Sequence, residues 1–154
     1  MAQYAQDTKV TIDKSRSEIE ATLKRYGADA FAYGWDDLKR TALITFRLRG
    51  RVVRLSPPVV DTNQDRFRYT TNGVPISTAL QKSRVEQAQR QSWRALALYV
   101  KALCEAIENE IVTVDAAFMA AIVLPNGQTV GEWAGPQLTN MVAEGRMPAL
   151  LPGG

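Results

Sequence analysis

The chain has 154 residues, 45% of them hydrophobic and 23% charged, with a net charge of +3, one cysteine and no histidine. That length suits one domain, residues 1–154, with a hydrophobic core of its own, and no run approaches the roughly 18 apolar residues of a membrane span. Without histidine or a second cysteine, Cys-His, Ser-His-Asp and zinc constellations are excluded, as is an internal disulfide.

The charge is unevenly distributed. Residues 1–37 hold five basic and seven acidic side chains, residues 38–101 thirteen and three, and residues 102–154 one and six. A basic middle between acidic ends points to a polyanionic partner. The lone Cys104 lies in an apolar helical run, as a buried structural thiol does, and a reducing cytoplasm is the expected setting. The N-terminus lacks the basic-then-apolar layout of a signal peptide.

In chain order, "TKVTID" (8–13) alternates as a short strand does, with Val10 and Ile12 on one face. Ser15 and Glu18 form a capping box for a helix that buries Ile19, Leu23 and Tyr26 and stops at Gly27. In "ADAFAYGW" the aromatics Phe31, Tyr33 and Trp35 share a face, either core or a stacking platform for bases. In "TALITFRLRGRVVRLS" (41–56), a two-residue turn at Arg49-Gly50 pairs Leu48 with Arg51, Phe46 with Val53 and Ile44 with Leu55. Ile44, Phe46, Val53 and Leu55 then share an apolar face, because a one-residue slip would invert every side chain. Arg47 and Arg54 fall on the opposite face, and Arg49 and Arg51 crown the tip.

Residues 59–76 read as an excursion, a mobile hairpin or arm that interleaves Arg66 and Arg68 with Phe67 and Tyr69 and turns at Asn72-Gly73. Ser77 caps a long helix to about Ile111, periodic in its second half and polar and basic in its first, with Arg84, Arg90 and Arg94. The span exceeds what a domain of this size needs. The first half is therefore expected to project, or the helix to break between Gln89 and Ser92. Thr113 caps a further helix burying Phe118 and Ile122, "PNG" turns, and Thr129 with Glu132 caps a last helix that Pro136 should split or kink. The apolar, proline-bounded tail (145–154) is either docked on the body or presented to a partner.

No chemical motif completes itself. "DTNQDR" imitates a calcium loop through Asp61, Asn63 and Asp65, but fails at Arg66 and Asn72. Asp36 and Asp37 with Asp61 or Asp65 are a weak case for a magnesium-dependent nuclease, and no phosphate-cradling glycine motif occurs. No catalytic residue, metal or cofactor is expected. The arginine fork suits phosphate, so the candidate nucleic-acid contacts are Arg47, Arg49, Arg51, Arg54, Arg66, Arg68, Arg90 and Arg94, with Phe67 and Tyr69 as stacking groups. The alternatives are solvated edge charges and an acidic protein partner.

The blocks "TIDKSRSEIEATLKRYGA", "RQSWRALALYVKALCEAIE", "VLPNGQTVGEW" and "GRMPALLP" resemble a family of small uncharacterised proteins encoded in tailed-bacteriophage and prophage genomes. The resemblance implies a phage-derived protein of the host cytoplasm and carries over no activity or site residue. The expected fold is α+β: a small antiparallel sheet in the order β-α-β-β-β, packed against one long helix, with a helical C-terminal segment. The expected function is non-catalytic nucleic-acid binding through the arginine-rich hairpin and arm. The alternative is a protein-interaction module, such as an inhibitor of a host enzyme or defence system, with no membrane partner.

Overall fold

The structure, a computed structural model, describes residues 8–147. It is an α+β fold with a three-stranded antiparallel sheet and four α-helices, one of them long.

The first helix, α1 (Ile12–Arg25), starts one turn earlier than expected, because the Thr11 hydroxyl caps it by accepting the Lys14 N–H at 3.2 Å. The strand expected at 8–13 does not form. Six alternating residues fit a helix start as well as a strand, and the cap decides between them. Ser15 is therefore not a cap; it lies inside the helix, fully buried. The C-terminus is as expected: Gly27 takes φ +97° and the Ala28 N–H reaches back to the Leu23 carbonyl at 2.9 Å.

Strands β1 (Ala30–Asp36), β2 (Thr41–Leu48) and β3 (Arg51–Leu55) follow as a meander. The β2–β3 register pairs Leu48 with Arg51, Phe46 with Val53 and Ile44 with Leu55, as the alternation requires. Arg49 and Gly50 both take positive φ, +47° and +80°, the turn whose twist matches the flanking strands. Ile44, Phe46, Leu48 and Val53 are buried against Ile19 and Leu23 of α1. Phe31 and Tyr33 pack on this core with their rings edge to face at 5.0 Å, while Trp35 is exposed. The free edge of β3 is covered by residues 122–130, where the Val123 N–H donates to the Val52 carbonyl at 2.8 Å.

Helix α2 (Thr78–Glu108) is one unbroken element of 31 residues, capped by Ser77; the break expected between Gln89 and Ser92 is absent. Its second half supplies Trp93, Leu96, Ala97, Val100, Cys104 and Ile107 to the core. Its first half is accompanied by the 59–76 segment, which is docked here. A 3₁₀ turn at Asp65–Phe67 packs on α2, Phe67 is only 2% exposed, and Arg84 donates to the Arg66 carbonyl at 2.9 Å. The helix ends before Ile111 because Glu110 adopts φ +59° and the Ile111 N–H closes onto the Ala106 carbonyl.

Helix α3 (Val114–Phe118), capped by Thr113, drives Phe118 edge to face onto Phe46 at 5.5 Å. A 3₁₀ turn (Met119–Ala121) leads to α4 (Val130–Glu144), capped by Thr129. Pro136 was expected to split or kink this helix; it does not split it, and α4 runs through as one element. Gly135 before it has no Cβ for the proline ring to crowd, which removes one of the clashes proline brings to a helix interior; the missing N–H donor and the crowding of the Glu132 carbonyl remain. Gly145 closes α4 in the left-handed region, and residues 148–154, most of the apolar tail, lie outside the described residues.

Candidate functional site

The arginines of the hairpin do not form an open cationic patch. Arg47 bonds Asp29 at 2.7 Å, and Arg51 grips Asp115 with two bonds of 2.7 and 3.1 Å. Arg54 reaches Glu132 at 2.9 Å, and Arg49 lies 3.8 Å from Glu108. On α2, Arg94 pairs with Glu18 of α1. With Lys39 to Glu132 at 3.6 Å, six ion pairs join the basic middle of the sequence to its acidic ends. The charge asymmetry is answered within the chain itself: carboxylates on the loop before β1, on α1, the end of α2, α3 and α4 fold back onto cations of the middle segment. Of the eight expected contact arginines, five are paired with a carboxylate: Arg47, Arg49, Arg51, Arg54 and Arg94.

The hydrogen bond from Arg47 holds the Asp29 carboxyl below its ordinary range, and those from Arg51 and Arg54 do the same for Asp115 and Glu132. Folding thus favours the ionised carboxylates. Their contribution is complete above the ordinary carboxylate range and is lost as pH falls through the lowered folded values. We expect the urea midpoint to drop between pH 6 and pH 3, and to drop less in Arg51→Gln/Asp115→Asn. Equal acid sensitivity in the two proteins would remove these pairs from the explanation.

Around the 59–76 segment, Arg66, Arg68 and Arg84 have no carboxylate partner among the described residues, and Arg66 and Arg84 are joined by the bond from the Arg84 guanidinium to the Arg66 carbonyl. The Arg66 guanidinium lies 4.5 Å from the Phe67 ring centroid, and that of Arg68 lies 5.6 Å from the Tyr69 centroid. Phe67 cannot stack on a base, since its ring is buried beneath the turn. Tyr69 is half-buried and keeps an accessible side. Arg90 donates to Gln87 and sits about 120° round α2 from Arg84, so it does not join them.

The aspartates weighed for magnesium act as turn acceptors. Asp36 takes the Lys39 N–H at 3.0 Å, Asp37 the Trp35 indole N–H at 2.8 Å, and Asp61 the Asn63 N–H at 3.0 Å. Among the described residues no three histidine, cysteine or acidic side chains gather as a metal site. Cys104 is buried in the core, and burial pushes its thiol up to about 11. No helix among the described residues is long and apolar enough to cross a membrane.

The surface that the charge pattern did not reveal is α4. None of its residues is buried. Val130, Ala134, Leu138, Met141 and Val142 recur at helical spacing along one stripe. The first turns of that stripe pack on the 3₁₀ turn Met119–Ala121, closely enough that a Cβ on Gly131 would lie 3.0 Å from the Ala120 carbonyl oxygen. Beyond it the stripe opens, with Met141 half-buried but Leu138 57% exposed, Val142 75%, and Met147 just beyond the helix 80%. Trp133, 52% exposed, lies on the other side of the helix, about 140° round from Leu138.

Comparison with known proteins gives no matching family model, no matching curated protein and no matching solved structure.

Proposed function

We propose that this chain is a protein-interaction module that lays the second half of α4 into an apolar groove on a partner protein. The observation that supports this is the stripe itself: a helix of 15 residues that buries none of them while carrying Leu138, Met141 and Val142 in register. Scattered apolar side chains are normal on a surface, but a continuous helical stripe marks a contact site. Helix-in-groove recognition uses this spacing of anchors. No catalytic group is assigned. In the phage setting that the sequence resemblance implies, the partner is a protein of the host cytoplasm, such as an enzyme or defence factor that the module inhibits.

A second reading, nucleic-acid binding, is supported by Arg66, Arg68 and Arg84, the cations around the 59–76 segment without a carboxylate partner among the described residues. It moves from the hairpin to the docked 59–76 segment, with fewer phosphate contacts than eight arginines would supply.

One capture experiment separates the two. Tagged wild type and Leu138→Gln/Val142→Gln are each used to recover partners from host lysate, with and without nuclease. We expect a protein that survives nuclease with the wild type and is lost with the variant. Material that disappears with nuclease and is indifferent to the variant would favour nucleic acid and contradict the α4 assignment.

A further inference from the structure

A cleft of about 590 Å³ opens between the 59–76 segment and α2, lined by Asp65, Arg66, Tyr69, Thr70, Thr71, Gly73 and Arg84. Its two cations are held in position. One guanidinium nitrogen of Arg84 donates to the Arg66 carbonyl at 2.9 Å, which fixes the fork and leaves its other N–H groups without an acceptor among the described residues. Arg66 is seated on the buried Phe67 ring. The floor is a tight turn in which the Thr70 N–H bonds the Val74 carbonyl at 2.7 Å and the Gly73 N–H bonds the Thr70 carbonyl at 2.9 Å. The Thr71 amide and hydroxyl take no part in that pattern and have no acceptor among the described residues.

We infer that this cleft binds the phosphate of a nucleotide unit, with Arg66 and Arg84 on the phosphate oxygens and Tyr69 offering a ring to the base. Ordered guanidinium forks bind phosphate strongly because the oxygens meet several donors already in place. A cleft of this size takes one nucleotide. The lining carboxylate, Asp65, forms no ion pair with either arginine, although both line the same cleft; it is an acceptor suited to a sugar hydroxyl or a base amine. A site for free inorganic anions would do better without it. The inference rests on the nucleic-acid reading above and narrows it from a diffuse basic surface to one site.

The test measures fluorescence polarisation of a labelled single-stranded oligothymidylate on the full chain at low salt, with thymidine monophosphate and inorganic pyrophosphate as competitors. Arg66→Gln/Arg84→Gln is expected to weaken binding at least tenfold and to make the log–log salt slope shallower by about 0.7, one phosphate neutralised on a single strand. Arg84→Lys, which keeps the charge without the fork, falls between. Tyr69→Leu weakens the oligonucleotide about fivefold or more and leaves pyrophosphate competition unchanged. Competition by the mononucleotide at similar affinity assigns a free nucleotide; competition only by longer strands assigns nucleic acid. Oligonucleotide binding that survives the arginine pair overturns the cleft but not the wider reading, and no binding of any probe overturns both. Lys101→Gln, which removes an exposed cation of α2 outside the cleft, is the control and should bind the oligonucleotide as wild type does.

Discussion

Phe118→Ala lowers the free energy of unfolding by about 3–5 kcal/mol, the cost of truncating a fully buried aromatic that cannot be replaced by collapse of its surroundings. Phe118 is 2% exposed and lies edge to face on Phe46 at 5.5 Å, so it joins α3 to the sheet. Helix α3 has five residues and too few turns to hold itself, which makes this contact the main attachment of that part of the chain. Against a typical domain stability of about 5–15 kcal/mol, the variant loses a large fraction of the total. Trp35→Ala, which removes a larger aromatic that is 62% exposed, should change stability by only about 0.5 kcal/mol. Urea unfolding followed by circular dichroism measures both. Equal losses would mean that burial at Phe118 is not what anchors α3.

Leu138→Gln/Val142→Gln has the opposite profile. Both side chains are exposed in the free chain, so stability should stay within about 0.5 kcal/mol of wild type at each site. In the complex, an apolar anchor set into a groove is worth about 2 kcal/mol or more, roughly thirtyfold in affinity for each residue. The pair should therefore weaken the partner by about three orders of magnitude with no change in the unfolding midpoint. Titration calorimetry with the captured protein gives the first quantity and denaturant unfolding the second. A variant that binds as wild type does, or that unfolds early, would show that the stripe is not a contact surface.

Much of the fold is legible from local rules. The hairpin register follows from alternation and from a turn that tolerates positive φ at Arg49 and Gly50. The caps at Ser77, Thr113 and Thr129 and the stop at Gly27 follow from side-chain and backbone hydrogen bonding. The misjudged boundaries have local causes too. Thr11 took the capping role assigned to Ser15, and Glu110 took a left-handed conformation usually left to glycine or asparagine. Helix α4 continues through Pro136, with Gly135 before it.

The candidate site was less legible because charge is a long-range matter. Arg51 and Asp115 are 64 positions apart and Arg54 and Glu132 are 78 apart, so no spacing rule joins them. A segregated charge pattern is satisfied equally by an external polyanion and by the acidic ends of the same chain. In this fold the ends supply the answer for the hairpin. The placement of Arg16 over the Tyr33 ring, 3.8 Å from its centroid, is of the same kind, since it depends on how α1 lies on the sheet. By contrast, the stripe from Val130 to Val142 was present in the sequence as a helical repeat. It reads as core until the structure leaves Leu138 and Val142 of its second half exposed.

The most direct measurement is photo-crosslinking in living cells that express the protein, from three positions of α4, with a photoreactive phenylalanine analogue replacing Leu138, Val142 or Asn140 in turn. Leu138 and Val142 lie on the open stripe, and Asn140 lies on another face of the helix. Adducts with one protein species from 138 and 142, and none from 140, are the predicted result. Adducts from all three positions alike, or from none, would contradict the assignment of α4 as the surface this protein offers to a partner.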